Sequence, residues 1–158
     1  SFTLSNGWNA ISGFLHPDAE SLDEIFSDYA GNILILTNLK GIYQPGSQNN
    51  TITNWDVTTG YFLKASEGFN LNISGSKPVT SILELKGVWN LIPVMSESPV
   101  PINLLKTIPA ENIEMIRDAL GFYIYWPDQS IFSLDSLLPG KSYLIKLTQP
   151  ALLFIHKE

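Results

Sequence analysis

The sequence predicts a mainly β fold: a β-dominated α+β chain of two tandem homologous repeats, each with short, mostly antiparallel strands and one short helix. Three observations carry this. Apolar residues come in short runs and alternations such as Leu71-Asn72-Ile73 and Leu153-Phe154-Ile155, separated by Gly, Pro, Asn and Ser. Only two short stretches place apolar residues at helical spacing. The chain also matches itself: Phe2-Thr3-Leu4-Ser5-Asn6-Gly7-Trp8-Asn9-Ala10-Ile11 returns as Leu83-Glu84-Leu85-Lys86-Gly87-Val88-Trp89-Asn90-Leu91-Ile92.

The match continues along the chain. Asn32-Ile33 finds Asn112-Ile113, Gly41-Ile42-Tyr43 finds Gly121-Phe122-Tyr123, and Trp55-Asp56 finds Leu134-Asp135. Tyr61-Phe62-Leu63-Lys64 then matches Tyr143-Leu144-Ile145-Lys146, with the offset drifting only between 79 and 82 residues. Two units follow, 1–78 and 79–158, joined by the short Ser74-Gly75-Ser76-Lys77-Pro78 segment. Each is too small to bury its surface well alone, so the units are expected to share an interface and form one pseudo-symmetric body.

Within the first unit, Asn6-Gly7 between Leu4 and Trp8 predicts a turn or bulge that splits Phe2 to Ile11 into two strands or one bent one. Ser21 and Glu24 have capping-box spacing, and Leu22, Ile25, Phe26 and Tyr29 then form one apolar helix face. Gly31 ends that helix; strands are predicted at 33–36, from 42, at 52–55, at 61–65 and at 71–73, with a Pro45-Gly46 turn. In the second unit Pro101 suits a first helical position before Ile102, Leu104, Leu105 and Ile108; Pro109 stops that helix, and 113–116 mirrors the strand at 33–36.

Composition narrows the partners. The 158 residues are 44% hydrophobic and only 15% charged, against about 25% in an average soluble chain. Nine Lys and Arg face fifteen Asp and Glu, a net charge of −6 that argues against nucleic acid and against anionic membranes. No apolar run approaches the roughly 20 residues of a membrane-spanning helix, so no membrane insertion is expected. No signal-peptide pattern opens the sequence, which reads as a piece of something longer. With no cysteine there are no disulfides, thiolate sites or Cys nucleophiles.

The order Leu4-x-x-Gly7-Trp8-Asn9-x-Ile11-Ser12, an Ile25-Phe26 helix, a Gly41-x-Tyr43-x-Pro45 turn, Gly60-Tyr61-x-x-Lys64 and a closing Leu71-x-Ile73-x-Gly75 resembles the GWN-type β modules of large multimodular secreted or surface-attached proteins of bacteria and some archaea. The resemblance spans nearly the whole chain, twice; the second unit departs from it with Val88 for the Gly and Pro93 for Ser12. It implies a non-catalytic accessory module that spaces, attaches or docks neighbouring domains, an extracellular or cell-surface location, and no cofactor.

The residues themselves assemble no catalytic motif. His16 and His156 lie in different units without a helical zinc spacing, and no nucleophile elbow, P-loop, dinucleotide fingerprint or EF-hand loop is present. Asp18, Glu20 and Asp23, with Glu24 and Asp28, are weak metal candidates, since carboxylates around a first helical turn already complement the helix dipole. Carboxylates such as Glu111, Glu114 and Asp118, or Asp56 with Asp135, leave a hydrolase as the lowest-ranked reading. Aromatic rings are the better lead, because flat rings stack on sugar C–H faces and anchor protein interfaces. Trp8, Trp89, Tyr61 and Tyr143 recur in apolar surroundings and are assigned to the repeat core, as are Tyr43 and Tyr123. Trp126, Tyr125 and Trp55 stand at positions that differ between the repeats and near turns, and are the ligand-binding candidates of an alternative carbohydrate-binding module. The partners expected are a polysaccharide or neighbouring protein domains.

Overall fold

A computed structural model describes residues 1–78 and 82–155. The first half holds β1 (Phe2–Leu4), β2 (Gly7–Ile11), β3 (His16–Pro17), helix α1 (Leu22–Ile25), β4 (Ile33–Thr37), β5 (Ile42–Tyr43), β6 (Tyr61–Ala65), β7 (Phe69–Leu71) and β8 (Gly75–Ser76). The second holds β9 (Ile82–Leu85), β10 (Trp89–Ile92), β11 (Val100–Pro101), β12 (Lys106–Ile108), β13 (Ile113–Asp118), β14 (Ile124–Trp126), β15 (Ile131–Phe132), β16 (Ser136–Leu137), β17 (Tyr143–Leu147) and β18 (Ala151–Phe154). The protein is thus mainly β, and every strand pairing among the described residues is antiparallel.

The main sheet of the first half runs β2-β6-β4-β5 and that of the second β10-β17-β13-β14-β15. Their registers follow one scheme. Trp8 faces Lys64 across the ladder and Trp89 faces Lys146; a bulge interrupts β4 at Ile33/Ile35 and β13 at Ile113/Met115. The Asn after each Trp ties the preceding turn, since the Asn9 amide donates to the Ser5 and Gly7 carbonyls and the Asn90 amide to that of Gly87. Gly7 is at φ +90°, a value that costs a glycine little and other residues more.

Each half has its own core. Leu22, Phe26, Leu36, Tyr61, Leu63 and Leu71 are fully buried in the first, and Ile92, Ile116, Leu137, Ile145 and Leu153 in the second. The Ser21 hydroxyl caps α1 by accepting from the Glu24 N–H at 3.1 Å. A 3-10 stretch, Ser27–Asn32, completes the predicted helical segment. The 74–78 connection is not a free tether: Gly75–Ser76 pairs with His16–Pro17, and a Cβ at Gly75 would overlap the His16 carbonyl.

Three sequence expectations are corrected. The second-unit helix is a single 3-10 turn, Ile102–Leu104; Leu105 is already extended and 106–108 form a strand against β18, with Thr107 inward and Ile108 exposed. The strand expected at 52–55 is only an isolated bridge between Asn54 and Ser21. Trp8 and Trp89 are not core residues, being 47% and 44% exposed. Side chains alternate along a strand; Ile11 and, across the ladder, Leu63 and Ala65 point inward, so Trp8 and its partner Lys64 point out. Lys64 and Lys146 lie over these indoles at 5.8 and 5.9 Å, and Phe62 meets Trp8 edge-on.

Candidate functional site

Trp55 is not available to the predicted aromatic platform. Trp55 is 7% exposed, stacked on Tyr61 at 4.6 Å and edge-on to Phe26, with its Nε1 unpartnered inside the first core. Tyr125 and Trp126 are half-buried in the second half. Tyr125 packs on the second core and edge-on to Phe132, and it lines a cavity of about 460 Å³ with Lys106 and Glu111. The three rings therefore cannot stack on one ligand. The ladders also explain why Tyr125 is inward. Leu36 faces Tyr43 in one half and Ile116 faces Tyr125 in the other, so Tyr125, not Tyr123, takes the place of buried Tyr43. Likewise the Ile102 N–H bonds the Asp135 carbonyl where Leu22 bonds that of Thr53, which puts fully buried Leu137, rather than Leu134, where Trp55 sits.

The acidic residues take structural places. Asp23 accepts from the Tyr43 hydroxyl at 2.8 Å, the Glu20 carbonyl accepts from the Trp55 N–H, and Asp18 lies with Glu24 and Asp28 on an open cleft of about 400 Å³. Among the described residues no three of His, Asp and Glu come together to hold a metal ion. Asp56 accepts from Thr58, and Glu114 pairs with Lys146 at 2.8 Å. His16 is exposed on β3, and His156 lies outside the described residues.

The tyrosine pair assigned to the core is there. Burial pushes the Tyr61 hydroxyl up to about 12, against a partly offsetting hydrogen bond that it accepts from the Asp56 N–H at 2.8 Å. Burial also raises that of Tyr143, which accepts from the Leu138 N–H at 2.9 Å in the same way. Tyr43 is raised by burial and by the carboxylate of Asp23.

A site that the sequence did not single out lies where the halves meet. Ser12 is its fastener. Its N–H donates to the Gly140 carbonyl at 3.0 Å, its hydroxyl donates to the Lys141 carbonyl, and the Val94 N–H donates to that hydroxyl at 3.1 Å. Two further bonds cross the junction: the Gly60 N–H donates to the Leu91 carbonyl at 3.2 Å and, in the other direction, the Ser142 hydroxyl donates to that of Tyr61. Beside this junction opens a groove of about 430 Å³, lined by residues of β1, β2 and the turn between them, by the 139–142 turn and by the tip of the β13–β14 hairpin.

That tip is tightly built. The Asp118 N–H donates to the Tyr123 carbonyl, the Gly121 N–H to that of Asp118, and Asp118 Oδ1 accepts from the Leu120 N–H at 3.0 Å; Gly121 sits at φ +99°. So short a reversal leaves no room to turn its apolar side chains inward, and Leu120, Phe122 and Tyr123 are 45%, 83% and 55% exposed. The missed signal was two adjacent aromatics directly after a turn glycine, which alternation cannot bury together. Compared with protein-family models, curated proteins and solved structures, the chain matches none of them.

Proposed function

We propose that this chain is a non-catalytic accessory module of an extracellular or cell-surface protein, made of two copies of one β unit, which attaches its neighbours by holding an extended polymer in the groove where the copies meet. One observation carries the reading: Phe2, Leu120, Phe122 and Tyr123 gather around a single groove of ligand-pocket size that draws its walls from both halves. Exposed large rings clustered at one place mark interaction surfaces, whereas singly scattered ones do not. The shared ladder registers support the two-copy part, and the location rests on the GWN-type resemblance.

The test is an NMR titration of the full chain with soluble polysaccharides and with an unstructured peptide pool. Shifts concentrated at Phe2, 118–123 and 139–142, with the polymer recovered uncut, are the expected result. Shortened polymer, or shifts nowhere near the groove from any polymer, would end the reading.

A further inference from the structure

We infer that the occupant of the groove is a neutral polysaccharide, a conclusion that rests on the binding reading above. The first argument is what the groove withholds. A peptide bound in extended form takes its affinity from main-chain hydrogen bonds to an unpaired strand edge. Here several of the wall's backbone groups are already spent: the Asp118 and Gly121 N–H groups inside the hairpin tip, the Lys141 N–H on the Leu138 carbonyl, and the Gly140 and Lys141 carbonyls on Ser12.

The second argument is what the groove offers. Two exposed rings, Phe122 and Tyr123, and the half-buried Phe2 line it and supply apolar surface suited to C–H groups. Between them stand polar side chains of both kinds. Asp118 spends Oδ1 on the Leu120 N–H and keeps Oδ2 as an acceptor for hydroxyls, and exposed Lys141 brings a donor. A pyranose chain alternates these requirements along its length. The net charge of −6 turns the choice away from uronic or sulfated polymers, which would be repelled over the whole approach.

The experiment is calorimetric titration of the full chain with cello-, xylo-, manno- and chito-oligosaccharides of six units and with an acidic oligogalacturonide, repeated on Phe122→Ala, Tyr123→Ala and Trp8→Ala. Both hairpin rings are exposed, so these variants keep the wild-type urea midpoint, which is measured alongside. Binding of at least one neutral oligosaccharide, weakened about tenfold or more in each hairpin variant and unchanged in Trp8→Ala, is expected. Failure of the wild type to bind any neutral oligosaccharide, preference for the oligogalacturonide, or equal binding by the hairpin variants overturns the inference. If only the peptide pool shifts the groove resonances, the sugar assignment falls and the binding reading stands; if neither does, both fall.

Discussion

Replacing Ser12 with alanine removes a single oxygen from the junction between the halves and leaves its shape nearly intact. Ser12 and Val94 are fully buried, and the Ser12 hydroxyl is the acceptor for the Val94 N–H. A buried donor left without a partner costs about 1–3 kcal/mol. The Lys141 carbonyl also loses a donor, but it belongs to an exposed residue and water can replace the bond, which adds about 0.5 kcal/mol at the low end of a net hydrogen bond. The Ser12 backbone bond to Gly140 survives the substitution. The expected loss is therefore about 1.5–3.5 kcal/mol, or roughly 3–14 °C in Tm for a chain of this length. Urea unfolding followed by far-UV circular dichroism and by tryptophan fluorescence measures it, and the two probes should shift together in one transition. A loss below about 0.5 kcal/mol, the range of an ordinary surface change, would refute the assignment of Ser12 as a fastener.

Gly60→Ala attacks the same junction sterically: a Cβ there would sit 2.5 Å from the Ser142 Cβ and 3.0 Å from the Ile92 carbonyl oxygen, so a loss of about 1–3 kcal/mol is expected from the same urea titration. Trp55→Ala should cost about 3–5 kcal/mol as a buried ring, while Trp8→Ala should cost about 1 kcal/mol or less; equal losses would contradict their opposite burial. Alkaline pH should weaken the fold. The folded Tyr61 value lies above the ordinary 10, so its contribution is whole below pH 10 and is lost as pH rises toward about 12, at up to about 1.4 kcal/mol per pH unit. Urea midpoints taken from pH 8 to 11.5 should fall less steeply in Tyr61→Phe than in the wild type.

The β class was legible because turn glycines and prolines act locally: Asn6-Gly7 and Pro45-Gly46 lie at a strand break and a turn, whereas the strand expected at 71–73 runs two residues earlier, over Phe69–Leu71. The cap on α1 was legible for the same reason, as Ser21 and Glu24 are neighbours in sequence. Which face of a strand meets the core is a different matter, since it depends on the sheet above it. Trp8 and Trp89 recur in register beside a recurring turn Asn and ladder Lys, so recurrence within an apolar pattern marks a shared surface contact here and not a shared core position. The stretch 102–108 satisfied helical spacing by coincidence; pairing with β18 outweighed that weak local preference. The groove was illegible for a further reason. Its walls come from positions within 2–11 and within 118–142, which are far apart in the chain and meet only in the fold.

The two halves differ most usefully in one hairpin. Between the paired residues Thr37 and Ile42 the first half has four residues, 38–41; between Arg117 and Ile124 the second has six, 118–123. Those extra residues bring Leu120, Phe122 and Tyr123 to the groove, so the proposed site would belong to what distinguishes the halves rather than to what they share. Grafting Asn38-Leu39-Lys40-Gly41 in place of residues 118–123 tests this directly. The short turn satisfies itself, because Asn38 Oδ1 accepts from the Lys40 and Gly41 N–H groups, and it closes the equivalent ladder position. The residues removed contribute little to the second core, apart from buried Ala119, so the grafted chain should stay folded with its unfolding free energy, measured in urea, lowered by about 1 kcal/mol or less. Polymer binding in the groove should vanish while the Trp8 and Trp89 faces keep their wild-type NMR shifts. A folded graft that still binds would move the site away from the junction and leave the hairpin as an elaboration without a ligand.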